Sequence, residues 1–127
     1  MMQLAKNFNL SEFECNCGCE MPEEVFANIK ELAPNLQIIR DEIGKSIRIT
    51  NAYRCPSKNK AVGGAEKSQH LLGKAADLQV KDMTPGELAD VIEALQEQGK
   101  IAIGGLGRYN TFTHYDIRGT IARWDNT

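Results

Sequence analysis

The chain is poor in several things at once. Its 127 residues include two histidines, four prolines and one tryptophan. It has no run of about 18 apolar residues, so no membrane span is expected. Neither charge is in excess: 15 Lys and Arg stand against 17 Asp and Glu, a formal net charge of -2. A mildly acidic surface has no general attraction for polyanions, so nucleic acid is not expected as a partner. Internal repeats, linkers and low-complexity segments are missing. The opening residues, Met1 to Leu10, are interrupted by Lys6 and Asn7, and no small-residue cleavage site follows. No secretory signal is read there, and synthesis in the cytoplasm is expected. Two common hydrolase signatures are also absent, the H-E-x-x-H zinc helix and the G-x-S-x-G nucleophile turn.

What is present is an ordinary globular balance, 42% hydrophobic and 25% charged, which argues against disorder. The length suits one core, so a single domain over 1–127 and a monomer are expected. Asn9 to Phe13 reads as a short turn or strand. Met21-Pro22-Glu23-Glu24 reads as a helix start, with proline in the first turn and acids near the positive end of the helix dipole. Val25, Ile29 and Leu32 continue it at helical spacing, and Pro34 predicts a break or kink. A second helical stretch through Leu36, Ile39 and Ile43 stops at Gly44, a capping glycine. Ile47 to Tyr53 alternates and is β-branched, as a strand does. Arg54 to Ala65, with Pro56 and the pair Gly63-Gly64, reads as irregular loop. Ala75–Val80 is a second strand, and Thr84-Pro85-Gly86-Glu87 is a capping box opening a helix closed by Gly99. Strands are further expected at Lys100–Gly105 and Phe112–Ile117. Helices come first and strands later, so the fold class is α+β, a small, mainly antiparallel sheet with helices packed on it.

Three of the four cysteines sit in Cys15-Asn16-Cys17-Gly18-Cys19, and the fourth is Cys55. They admit two readings: a second, structural metal bound through sulfur, or reduced or disulfide-linked residues, with one bridge reaching Cys55. Structural zinc usually draws on two separated C-x-x-C pairs, which C-x-C-x-C is not. Neither reading makes the cysteines catalytic.

The two histidines, His70 and His114, sit in loop and strand contexts rather than on an apolar helical face. The segment after His70 is long enough to fold back and bring Asp77 towards it. Asp116 lies two residues beyond His114 and shares its strand face. The chain can therefore supply two imidazoles, one carboxylate and a second carboxylate nearby. Three protein ligands plus water is the usual layout of a catalytic zinc site. Zinc lowers the pKa of that water to about 7 and polarises a carbonyl, and a carboxylate can carry the proton. These residue types suit amide hydrolysis, although spacing alone equally admits solvated, unconnected side chains.

Tyr53-Arg54-Cys55-Pro56, Asn59, Val62-Gly63-Gly64-Ala65 and the block from Ser68 to Asp77 resemble the core of the zinc D-Ala-D-Ala carboxypeptidase family. Gly104 to Tyr109 and Phe112 to Gly119 resemble its second half. The likeness runs from about Phe8 to Trp124. That family includes phage endolysins and cell-wall carboxypeptidases, and shares its zinc fold with the hedgehog signalling domain and related murein endopeptidases. The resemblance implies His70, Asp77 and His114 as ligands of one catalytic Zn2+, and the peptide stem of peptidoglycan as substrate. It implies that Arg54 meets a substrate carboxylate, with a structural ion pair as the alternative, and that Ser68 and Gln69 line the site.

One departure stands out. Some relatives carry the acid–base residue a few positions before the last histidine, where this chain has Thr111, Phe112 and Thr113. Asp116 is the expected substitute as catalytic base, against a supporting role orienting His114 or bonding Arg118. Tyr109, Tyr115 and Trp124 are expected to pack in the core. The implied activity is a carboxypeptidase or murein endopeptidase that reaches the wall after release, as in phage lysis, or by another export route. The alternatives are a non-catalytic zinc domain that binds the wall or a protein, and a peptidase of another amide.

Overall fold

The computed structural model describes residues 2–127. Two short strands open the chain, β1 (Gln3–Ala5) and β2 (Phe8–Asn9), paired with each other. Leu10–Phe13 is a turn of 3-10 helix rather than extended chain, closed by a capping box between Asn9 and Glu12. The helix α1 spans Glu23–Ile43, α2 spans Pro56–Ala61 and α3 spans Pro85–Glu97, with strands β3 (Ile47–Asn51) and β4 (Ala75–Val80) interleaved. The chain ends in β5 (Gly105–Arg108), β6 (Thr113–Asp116) and β7 (Ala122–Asp125). The main sheet has the order β3-β4-β6-β5-β7. Its neighbours are antiparallel except β5 and β7, which run parallel. The expected α+β class with a mainly antiparallel sheet is what is found.

Three local expectations fail. The first is the break at Pro34, because α1 continues through that residue. The proline ring lies on the exposed side, while Ile29, Leu32, Ala33, Leu36 and Ile39 form an unbroken buried stripe on the other. Burying each such aliphatic side chain is worth about 1.5–3 kcal/mol, so the stripe outweighs the hydrogen bond that proline forfeits. The second is Lys100–Gly105, which is not a strand until Gly105 begins β5. The third is the loop after Arg54, which contains α2: Pro56 occupies its first turn, where a missing N–H costs nothing.

The core lies on one face of the sheet. α3 packs against β5 and β6, and α1 packs on α3. Leu36 and Ile39, Leu88 and Ile92, Leu78, Leu106 and Tyr115 are all fully buried there. Strand alternation then sends Asp77 of β4, and His114 and Asp116 of β6, to the opposite face. Among the described residues, no helix is long and apolar enough to cross a membrane.

Candidate metal centre

Antiparallel pairing of β4 with β6 puts Asp77 directly opposite His114. Cross-strand partners have Cβ atoms about 4.5–5.5 Å apart, so these side chains meet without any loop to hold them. His70 arrives separately, on a 3-10 turn (Gln69–Leu72) capped by the Ser68 hydroxyl and terminated by Gly73 at φ 73°. The Arg54 N–H donates to the His70 carbonyl (3.1 Å), which ties that turn to the end of β3.

The three side chains converge on one point. Asp77 Oδ1 lies 3.3 Å from His70 Nε2 and 3.2 Å from His114 Nδ1. All three residues are buried. Tetrahedral ligands at zinc bond lengths of 2.0–2.1 Å sit about 3.3 Å apart, so the spacing fits the ion. The far nitrogen of each imidazole is held: His70 Nδ1 by the Ala52 carbonyl at 2.7 Å, His114 Nε2 by Asp116 Oδ2 at 2.7 Å. A carbonyl only accepts, so His70 carries its proton on Nδ1 and turns the Nε2 lone pair towards Asp77. Two acceptors 3.3 Å apart repel unless a cation lies between them. The donor set of two imidazoles and one carboxylate is that of a catalytic zinc.

Electrostatics follow the same geometry. Burial opposes ionisation of Asp77, but the two imidazoles against its carboxylate, His114 and then His70, outweigh it and hold its pKa at about 2. Burial likewise opposes charging of His114, yet the Asp116 and Asp77 carboxylates raise its pKa above the ordinary 6.5.

Asp116, the expected base, is 0% exposed and has every contact committed. Its Oδ1 accepts from the Gly105 N–H (2.7 Å) and from the Arg118 N–H and Nε (3.1 and 2.9 Å). Its Oδ2 accepts from Arg118 Nη2 (2.8 Å) and faces His114 Nε2, the nitrogen turned away from Asp77. It does not line the cleft. Gly104 and Gly105 make room for it: a Cβ at Gly104 would lie 1.7 Å from the Asp116 carbonyl oxygen, and one at Gly105 would lie 2.3 Å from Asp116 Oδ2.

The cleft over the three ligands measures about 480 Å³, and its walls include Arg54, Lys67, Ser68, Gln69, Tyr109 and Trp124. Arg54, Ser68 and Gln69 are therefore brought to it as expected. Arg54 is half-buried, with Nη2 donating to the Ser68 hydroxyl (3.2 Å) and Nε buried without a partner. Among the described residues no carboxylate lies within ion-pair distance of Arg54, so the structural ion pair is not formed. Gln69 Oε1 is likewise buried and unpartnered. Tyr109 and Trp124, expected in the core, are cleft walls joined by a 2.8 Å hydrogen bond from Trp124 Nε1 to the Tyr109 hydroxyl. Tyr115 alone of the three packs in the core. Trp124 packs beside His114, with ring centroids 4.9 Å apart and the planes tilted by 52°, over Gly107, which has no side chain to block it. Lys67 and Asn59 were missed as site-forming residues. Asn59, in α2, is buried and bonds the Ala65 carbonyl, shaping the Gly63-Gly64 wall; a lone polar residue in so short a helix carries no periodic signal of that role.

No individual curated protein matches the chain. The model of the family described as Peptidase M15 matches residues 6–116, most of the chain, with His70, Asp77, His114 and Asp116 inside the matched span. With that match and a three-residue centre suited to zinc, the chain belongs to the peptidase M15 family of zinc-dependent peptidases.

Proposed function

We propose that the chain, as one domain over 1–127, hydrolyses a peptide bond in peptidoglycan stem peptides, as a carboxypeptidase or an endopeptidase. The observation that carries this is the convergence of His70 Nε2, Asp77 Oδ1 and His114 Nδ1 beneath a cleft whose walls are cationic. Bound there, zinc would supply an activated water and polarise the scissile carbonyl. Arg54 would receive a substrate carboxylate: its guanidinium presents two parallel donors, and its Nε is buried without a partner. Lys67 and Arg118 add positive charge, and Asp77 is the sole acid among the lining residues. Stem peptides, which carry free carboxylates, complement such a wall. Asp116 would act through His114, fixing its tautomer and ring plane so that Nδ1 faces the metal.

The test is zinc content together with release of peptides from purified sacculi. Expected are one zinc on the His70–Asp77–His114 set, cleavage by the wild type and none by His70→Ala. Full cleavage by His70→Ala would end the proposal. The closure of Asp116 away from the cleft favours a second reading, a zinc domain that binds wall peptides without cutting them. Stem-peptide binding by the zinc-loaded protein with no hydrolysis over long incubation would select it.

A further inference from the structure

Beyond the catalytic centre, and independent of it, four sulfurs come together on the other side of Arg54. We propose that Cys15, Cys17, Cys19 and Cys55 form a structural metal site for a single thiophilic divalent ion, zinc, which staples the N-terminal loop to the segment that carries Arg54. One Sγ from each residue lies within 4.8 Å of the others. Cys15 and Cys17 sulfurs are 3.2 Å apart, and Cys17 and Cys55 sulfurs 3.4 Å apart. All four are free thiols. A tetrahedral zinc with bonds of about 2.3 Å holds its sulfurs about 3.8 Å apart, so small side-chain adjustments complete the site.

The backbone around the sulfurs is arranged as it is around thiolates. The Cys55 N–H points at Cys15 Sγ (3.4 Å) and the Lys58 N–H at Cys55 Sγ (3.4 Å), two donors that stabilise negative sulfur. The Gly18 N–H closes a turn onto the Cys15 carbonyl (3.0 Å), and Gly18 adopts φ 78°, which folds Cys17 and Cys19 back over Cys15. Cys55 caps α2 and supplies the distant fourth ligand, so the unusual C-x-C-x-C spacing becomes a complete set only in the folded chain. None of the four lines the catalytic cleft. On binding, zinc would replace the thiol protons, which pass to solvent, and leave four thiolates around one dication.

The position gives the site a purpose. The segment Tyr53-Arg54-Cys55 is hung between three elements: the Tyr53 N–H on the Phe13 carbonyl, the Arg54 N–H on the His70 carbonyl, and Cys55 on the cysteine loop. A metal on Cys55 would immobilise the residue next to Arg54, and with it the guanidinium that faces the cleft.

The experiment is metal analysis of the reduced, full-length protein by native mass spectrometry, with cobalt as a spectroscopic probe. Expected are two zinc ions per chain in the wild type, one in His70→Ala, one in Cys17→Ser, and none in the double variant. The cobalt protein should show the intense sulfur-to-metal charge-transfer absorption of a thiolate site, kept in His70→Ala and lost in Cys17→Ser. Iron in place of zinc on the cysteines would keep the site and change the ion. If Cys17→Ser fails to fold, the wild type still decides: its four thiols should resist a thiol reagent until a chelator is added. Four freely reactive thiols in the zinc-loaded wild type, or a mass showing disulfides with a single zinc retained, would overturn the proposal.

Discussion

Asp116→Asn is the perturbation that separates positioning from proton transfer. The carboxylate is wholly enclosed and faces only donors: Gly105, Arg118 and His114. An asparagine fits the same space but has one acceptor oxygen instead of two. If its oxygen stays with Gly105 and Arg118 Nε, its NH2 faces His114 Nε2. That imidazole then loses its acceptor or shifts its proton to Nδ1, the nitrogen turned towards Asp77 and the metal position. If the amide turns over, Gly105 and Arg118 lose their acceptor instead. Either way a buried, charge-assisted hydrogen bond is lost, a stability cost of about 1.5–3 kcal/mol. Loss of such an orienting partner typically lowers metal affinity about 10–100-fold, or roughly 1.4–2.7 kcal/mol. The assay is zinc affinity by competition with a chromophoric chelator, read beside kcat at saturating zinc. A positioning role predicts weaker zinc binding, with kcat partly restored by excess metal. Unchanged zinc affinity with kcat down by about 10²–10⁴, the range of a lost general base, would refute it.

Three further outcomes follow from the same geometry. Gly105→Ala should weaken zinc binding as Asp116→Asn does, because its Cβ would sit 2.3 Å from Asp116 Oδ2 and push the carboxylate off His114; equal affinity in a chelator competition would count against that contact. Arg54→Lys should raise KM roughly 10–100-fold, with zinc content and kcat far less affected, because an ammonium cannot make two parallel bonds to a carboxylate; an unchanged KM in steady-state kinetics would remove Arg54 from substrate binding. In the metal-free protein, His114 is raised above 6.5, so its contribution is complete below that pH and is lost as pH rises through its elevated value. Asp77, lowered from 3.8 to about 2, contributes above pH 3.8 and loses that contribution as pH falls towards 2. Thermal melts should therefore give a Tm maximum between pH 3.8 and 6.5, and a steady rise from pH 5 to 8 would contradict the assignment.

Elements whose signal is local were legible. The Thr84–Glu87 capping box starts α3 because both of its hydrogen bonds span three residues. Gly44 ends α1 because only a left-handed residue turns the chain there at low cost. Elements decided by distant partners were not. Pro34 stays helical because the buried stripe on the opposite side of α1 holds both halves of the helix to the core. Ile101 to Ile103 alternates as a strand would, yet it makes only an isolated backbone bond, from the Gly119 N–H to the Ile103 carbonyl (3.0 Å), and Ile103 stays 44% exposed. β7, Ala-Arg-Trp-Asp, alternates apolar and polar residues over only four positions, too few to signal a strand alone, and exists because β5 offers it an edge.

For the site, the residues themselves determined which groups are available. A chain with two imidazoles, a nearby aspartate and thiols elsewhere has a restricted choice of hydrolytic metal chemistry, because ligand preference follows from donor type. Tertiary structure decided what each group does. The β4–β6 register sets Asp77 against His114, and a carbonyl from Ala52 chooses the tautomer of His70. Gly104 and Gly105 clear the space in which Asp116 is enclosed. Cys55 reaches sulfurs some 40 positions earlier only when β3 has paired. Donor chemistry belongs to a residue and can be read from its name. Angle, distance and exposure depend on which strands lie side by side, and local patterns do not encode that.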